Sequence, residues 1–255
     1  MRNSYYIRHP RVALKKIISR FRARSDISFW KARSGLYAGR KVFVIGNGPS
    51  LKAADLNVIE GEISIASNRI NLIYDECSWR PTFHTVVDPL VWEKYSTEIQ
   101  QNAEYVCIPS MLPSALSDNV KVFRYLRYDV EKNSNFSSDL SVGAYGGHTV
   151  TFQNIELAVH LGAKYVYLLG CDHYYSGEED IVENKPVVHA LQLNHFSNKY
   201  RSEGEKVNPA PIKKMEKRYM DAKLACDALG VSVFNCTRGG HLDVFPRLSL
   251  EDALL

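Results

Sequence analysis

Residues 41–52 read KVFVIGNGPSLK. The run Val42-Phe43-Val44-Ile45 is apolar at every position, which suits a strand covered on both faces, as in a parallel sheet. It stops at Gly46-Asn47-Gly48-Pro49-Ser50. Glycine weakens strands and helices, and proline cannot donate to a ladder, so this turn must serve close packing or a ligand. Gly46 and Gly48 let a backbone approach closely, and Asn47 offers both a donor and an acceptor. Pro49-Ser50 suit the first turn of a helix whose N-terminus favours an anion. The spacing is neither GxGxxG nor GxxxxGKS/T.

Outward from this turn, short apolar runs alternate with helical patterns. Strands are expected at 41–46, 62–66, 82–87, 104–108, 120–125, 164–169 and 231–235, and helices at 50–58, 89–101, 148–162 and 210–229. The last two helical patterns stop at Gly162 and Gly230, which are normal C-terminal stop signals. The alternation predicts an α/β domain over residues 41–255, Rossmann-like and doubly wound, with a mostly parallel sheet. Two stretches interrupt it. Residues 127–147 are polar and rich in Gly and Ser, and residues 173–209 hold His173, His189 and His195 among aromatics and charges. A connection as long as the second reads as a functional lid.

Composition narrows the class. The 255 residues, 45% hydrophobic and 24% charged, are ordinary for a globular chain of one domain. No run of eighteen apolar residues reads as a membrane span, and the N-terminus lacks the apolar core of a signal peptide. The five cysteines are odd in number and widely spaced, which fits reduced thiols in the cytoplasm rather than a disulfide framework or a zinc site.

The net charge of +4 hides an asymmetry. Residues 1–41 hold twelve Lys or Arg and one acid, Asp26, so this segment carries +11 and the remainder −7. Leu14, Ile17, Ile18 and Phe21 fall on one helical face, surrounded by Arg11, Lys15, Lys16, Arg20, Arg22 and Arg24. Residues 1–40 therefore read as a basic amphipathic arm able to lie on an anionic membrane surface, where each basic residue contributes about 1 kcal/mol, or as a helix packed on its own domain with a solvated basic face. Nothing else in the chain points to nucleic acid.

In open α/β sheets, ligands bind beyond the C-terminal ends of the strands. That rule gathers Gly46 to Ser50 after the first strand, Ser67-Asn68-Arg69 after the second, and Asp88-Pro89 after the third. It adds Gly170-Cys171-Asp172-His173-Tyr174 after strand 164–169, and Arg238 after the last strand as a possible anion partner.

These same elements carry a resemblance. KVFVIGNGPSLK, SNRI, VVDPL, the Thr149-to-Gly162 helix followed by KYVYLLGCDHYY, and NHFS with GGHLDVFPR are similar to the bacterial proteins whose domain is named for the archaeal 6-hydroxymethylpterin diphosphokinase, the MptE-like domain shared with motility-associated flagellin glycosyltransferases. More distantly, the chain resembles the family 42 sialyltransferases, which open with the same turn. The resemblance spans about residues 40–250. It implies an inverting glycosyltransferase that takes a CMP-activated acidic sugar, such as a sialic acid-like nonulosonate or Kdo, in bacterial surface glycan assembly.

The resemblance also implies site residues. Gly46, Asn47, Gly48, Pro49, Ser50 and Asn68 would meet the nucleotide-sugar, with Asp88 where the sialyltransferases have Asn. Thr149 would lie beside the donor, Gly170 and Asp172 match the family GxD, and Tyr174 matches a Tyr on the leaving phosphate. The base would be a lid histidine, His195 ahead of His189. Transfer from a CMP-sugar passes through an oxocarbenium-like state, needs a base on the acceptor hydroxyl and donors on the departing phosphate, and needs no metal or other cofactor in this design.

The implied partners are a CMP-sugar, a glycan or lipid-linked acceptor and an anionic membrane surface, with a homo-oligomer compatible. The implied place is peripheral, on the inner face of the cytoplasmic membrane. Two alternatives stand beside this. One is a pterin diphosphokinase-like pyrophosphoryl transfer from ATP, with Mg²⁺ on Asp88 and Asp172. The other is a non-catalytic membrane-associated scaffold.

Overall fold

A computed structural model describes residues 10–113, 117–129, 135–175, 179–182, 185–189, 194–201, 206–207 and 210–255. The apolar run of the opening turn forms β1 (Lys41–Ile45), and its side chains alternate between two cores. Val42 and Val44 pack on one face of the sheet, Phe43 and Ile45 on the other. This double burial is why the strand is apolar at successive positions.

Six further strands extend the sheet: β2 (Ser64–Ser67), β3 (Phe83–Thr85), β4 (Val106–Pro109), β5 (Val120–Phe123), β8 (Tyr165–Leu169) and β12 (Ser232–Asn235). The order is β12-β8-β1-β2-β3-β4-β5, and every pairing is parallel. All seven expected strands are present, and the doubly wound α/β architecture follows. Winding runs outward from β1 to β5 and then returns to β8 on the other side, so the strand order reverses between β1 and β8.

The helices cover both faces: α3 (Ala53–Val58), α4 (Pro89–Gln101), α5 (Val150–His160), α6 (Ile212–Ala228) and the short α7 (Leu250–Leu254). Helix α5 is buried nearly all round, which explains its weak amphipathic pattern. It carries Glu156 into the core, where the carboxylate accepts the backbone N–H groups of Ser137 (2.7 Å) and Tyr145 (3.0 Å) and burial pushes its pKa well up. The expected helix at 50–58 begins only at Ala53, because residues 49–52 are spent on the turn.

The N-terminal segment contains α1 (Pro10–Ser25) and α2 (Ile27–Lys31). From Ser19 onward it is packed on the open edge of β5, in line with the reading of this segment as a helix packed on its own domain. Three side chains pair that edge. Arg22 donates to the carbonyls of Ser117 (2.9 Å) and Val120 (3.0 Å), Asp26 accepts Val122 N–H (2.7 Å), and Trp30 Nε1 donates to Val122 O (3.0 Å). An exposed strand edge is a template for aggregation, and this cover removes it. The following loop caps α5: Gly35, Tyr37 and Gly39 donate to the carbonyls of His160, Leu161 and Gly162 at its C-terminus.

The expected lid contains a small sheet. Strands β9 (Glu179–Val182), β10 (Lys185–His189) and β11 (Lys206–Val207) pair antiparallel in the order β11-β10-β9. A two-stranded pair, β6 (Tyr125–Leu126) with β7 (Ala144–Tyr145), brackets the other long connection. No helix among the described residues is long and apolar enough to cross a membrane.

Candidate functional site

The reversal between β1 and β8 puts the turn after β1 against the turn after β8. Gly48 passes so close to the second turn that a Cβ there would meet the Asp172 carboxylate, with Cγ 2.6 Å away. A Cβ on Gly46 would meet the Gly170 backbone, with its carbonyl carbon at 2.8 Å. Asp172 then accepts Ser50 N–H at 3.2 Å and Ser50 Oγ–H at 2.8 Å. Both glycines thus have a packing reason, and Asp172 is a brace between the two turns. Burial raises its pKa, opposed by these bonds.

In front of these turns lies a cavity of about 690 Å³. Its walls come from the ends of β1 (Gly46 to Gly48), β2 (Ser67, Asn68), β3 (Val87 to Pro89), β4 (Pro109, Met111) and β8 (Gly170 to Tyr175). The start of α5, α6 and the lid residues Asn194, His195 and Tyr200 close it. Such a crevice at the switch point is where open α/β sheets bind ligands.

Five buried polar atoms on this wall lack a hydrogen-bond partner: Asn47 Oδ1, Asn68 Oδ1, Gln153 Nε2 and both ring nitrogens of His173. Buried polar atoms are nearly always paired, so these five are free to meet a ligand; other unpaired buried atoms, such as Trp79 Nε1 and the Tyr74 hydroxyl, lie away from the cavity. The orientation of Asn47 is set by its Nδ2, which donates to Ser67 O and Ser67 Oγ, both at 3.1 Å. Backbone strain collects here too. Asn68, His148 and His173 are the non-glycine residues with positive φ among the described residues, at 51°, 60° and 52°, and all three line the cavity. Such conformations persist only where the surroundings impose them, and they gather at functional sites.

The N-terminus of α5 opens into the same space. Gly146 and Gly147 precede the cap Thr149, whose Oγ1 accepts Thr151 N–H (3.3 Å) and lies 3.3 Å from the Tyr219 hydroxyl. Gln153 stands in the first turn. The helix start therefore presents N–H groups and a side-chain amide to the cavity, an arrangement that suits a phosphate. Arg218 is the Lys or Arg that lines the cavity among the described residues. It donates to Asp221 (2.7 Å) and lies 3.7 Å over the Tyr128 ring.

The lid is fastened to the strand ends by the motifs after β2 and β3. Arg69 Nη1 donates to the carbonyls of Lys199 (2.6 Å) and Tyr200 (2.8 Å), and its guanidinium lies 3.7 Å over the Tyr95 ring. Asp88 caps α4 through Leu90 N–H (2.9 Å) and faces Arg201 at 3.7 Å. Phe196 N–H reaches Asn47 O at 3.1 Å. His195 stacks on Tyr200, centroids 3.7 Å apart, and its ring hydrogen-bonds the Asn47 backbone. Burial, helped by Arg201, lowers its pKa to about 4, so the imidazole is neutral at pH 7.

Of the expected site residues, Gly46, Asn47, Gly48, Asn68, Asp88, Thr149, Gly170, Asp172, Tyr174 and His195 all line the cavity. Pro49 and Ser50 do not, because Ser50 is turned onto Asp172. At the helix after the turn, where an anion was expected, Asp55 accepts Lys52 N–H (3.0 Å) and places its own carboxylate at the N-terminus. Arg238 is held by Asp55 through two bonds of 2.7 and 2.6 Å, and it donates to Ser50 O, so it braces the turn instead of meeting an anion in the cavity. His189 ends β10 opposite Lys206, and its side chain lies outside the described residues.

His173, from the turn after β8, is buried in the cavity wall with Nε2 3.6 Å from Glu216. Gln153, Tyr200 and Tyr219 line the cavity without having been among the expected residues. The pair Gly146-Gly147 before a helix start was the local signal for Gln153, whereas nothing local marks Tyr219 on α6.

No three His, Cys, Asp or Glu among the described residues gather as a metal-holding group. The two carboxylates considered for Mg²⁺ are already engaged, Asp172 by Ser50 and Asp88 by the α4 N-terminus and Arg201. They do not fit a Mg²⁺ site.

The family model for 6-hydroxymethylpterin diphosphokinase MptE-like proteins matches residues 18–178. The chain belongs to this MptE-like family. The match begins inside α1, ahead of the resemblance at about residue 40, in keeping with the packing of that helix on β5. It includes the turns after β1, β2, β3 and β8 and the start of α5, and stops where the lid begins. No curated protein is similar enough to match.

Proposed function

We propose that the chain is a transferase whose cavity takes a CMP-activated acidic sugar and passes the sugar to a glycan or lipid-linked acceptor. The observation that carries this is the set of unpaired buried groups lining one switch-point cavity: the acceptors Asn47 Oδ1 and Asn68 Oδ1, the donor Gln153 Nε2 and the ring nitrogens of His173. Amide acceptors at the ends of β1 and β2 suit the amino group of a nucleobase. The α5 start, with Gln153, suits the phosphate. Arg218, now paired with Asp221, would exchange that contact for the sugar carboxylate.

In this mechanism the bond from the anomeric carbon to the acceptor oxygen forms as the bond to the CMP phosphate breaks. CMP leaves with the electron pair. A neutral imidazole takes the acceptor proton, and His195 is assigned this role because it lines the cavity with its ring held by the Asn47 backbone, although its pKa of about 4 makes it a weak base in the free chain. His173, with Glu216 beside it, is the second base candidate. The Tyr174 hydroxyl and the α5 N-terminus stabilise the departing phosphate. Surface glycan assembly would set this work at the inner face of the cytoplasmic membrane.

The family description favours a second reading, pyrophosphoryl transfer from ATP to a hydroxymethylpterin. It needs carboxylates free for Mg²⁺, which Asp88 and Asp172 are not. A thermal-shift comparison separates the two. CMP at a hundredfold excess over its Kd should stabilise the chain by about 2.7 kcal/mol. A shift with ATP and Mg²⁺ but none with CMP would overturn the proposal in favour of the diphosphokinase. No shift with either would leave the scaffold.

A further inference from the structure

We infer that α1 is a docking surface for an anionic lipid bilayer. The helix is turned inside out. Its small residues Ser19 and Ala23 are buried against the domain, while Leu14, Ile17 and Phe21 are 58%, 50% and 64% exposed. The exposed three fall at i, i+3 and i+7, so they form one continuous stripe, and Ser19 and Ala23 lie on the opposite side. A helix that packs only on its own domain does the reverse and buries its large apolar side chains. The stripe cannot roll inward. Arg22 is bonded to two carbonyls at the β5 edge, and Asp26 and Trp30 fix the adjoining turn and α2 to Val122.

Charge selects the occupant. Residues 1–41 carry twelve Lys or Arg against one acid, and that acid, Asp26, is buried on the Val122 N–H. No carboxylate of this segment is therefore left at its surface, and Arg20 and Arg24 are exposed beside the stripe. A second copy of the chain would bring the same +11 segment against itself, which like charges oppose. A nucleic acid would answer the charge but leave Leu14 and Ile17 without apolar cover. An anionic bilayer answers both: headgroups meet the basic residues and acyl chains take the stripe. The surface is separate from the cavity, so either can fail without the other.

The test uses the full chain with vesicles of phosphatidylcholine alone and of phosphatidylcholine with about one-third phosphatidylglycerol. Binding should be at least about tenfold tighter to the anionic vesicles and should weaken with salt. Leu14→Gln, Ile17→Gln and Phe21→Gln together keep the charge and should lose at least about tenfold in binding. Arg20→Glu with Arg24→Glu should lose a comparable factor. Both variants should keep the wild-type melting temperature and its response to CMP, which shows that the domain is folded. Equal binding to neutral and anionic vesicles, or a Gln variant that binds like wild type, would overturn the inference. So would an RNA oligonucleotide that binds while vesicles do not, or self-association that the Gln variant abolishes without any vesicle binding.

Discussion

Ser50 and Asp172 are 122 residues apart in the chain and meet through two hydrogen bonds, N–H to Oδ1 at 3.2 Å and Oγ–H to Oδ2 at 2.8 Å. They join the turns after β1 and β8, and the cavity is shaped by that junction. Asp172→Ala should cost about 2 to 3 kcal/mol in urea unfolding, because hydrogen bonds to a carboxylate are the stronger kind. Gly48→Ala should also destabilise, since its new Cβ meets the same carboxylate. The Gly48 penalty should shrink when Asp172 is already Ala. Strict additivity in that double-mutant cycle would contradict the close contact.

Gln153 should show opposed effects on stability and binding. Its Nε2 is buried without a partner in the free protein. Gln153→Met removes the orphaned donor while roughly keeping volume, so the free chain should gain about 1 kcal/mol. The same change should weaken ligand binding by about tenfold or more, because the ligand loses a donor inside a closed site. Calorimetry of unfolding and of binding reads the two signs separately. Loss of stability together with unchanged affinity would assign Gln153 to packing alone.

Arg69 should govern the lid more than the fold. It holds the carbonyls of Lys199 and Tyr200, and through them the segment that carries His195. Arg69→Ala should speed amide exchange at residues 194–201 and raise the ligand Kd by about tenfold, with most of the sheet still protected. Arg69→Lys should not restore binding fully, since an ammonium lacks the planar fork that lies over Tyr95. Unchanged exchange in the lid of the Ala variant would refute the clamp.

His84 should set part of the acid sensitivity. It is fully buried, with Nε2 2.6 Å from Asn68 O, and burial lowers its pKa from 6.5 to about 4. Below pH 6.5 the unfolded chain takes up a proton that the folded chain refuses. Stability from this group is therefore complete above pH 6.5, falls as pH drops towards 4, and changes little below that. The loss is about 3 kcal/mol. His195 is shifted the same way and adds its own loss. His84→Gln keeps a donor for Asn68 O without the titration, so the gap between wild type and variant should narrow by that amount as pH falls. Parallel stability curves from pH 7 to 4 would contradict this.

How much of this the sequence carried depends on the range of the forces involved. The seven strands were legible because a parallel strand covered on both faces must be apolar at successive positions, as Val42 to Ile45 are. Helix ends were legible from Gly162 and Gly230. The helix start after GNGPS was not, because residues 49–52 serve a distant partner, Asp172. The rim that gathers Asn47, Asn68, Asp88 and Asp172 followed from topology, because parallel winding collects strand ends on one side.

The roles of those residues were not legible. Asp172 is a brace, Arg238 is held by Asp55, Arg69 clamps the lid, and α1 is bolted to β5 with its apolar stripe outward. The sequence alone determined the fold class, the chemical types at the strand ends and the basic character of the N-terminal segment. Each of these rests on local periodicity, turn chemistry or composition. The tertiary structure alone decided which polar atoms are paired and which are left without a partner, because a hydrogen bond forms between atoms about 3 Å apart whatever their separation along the chain.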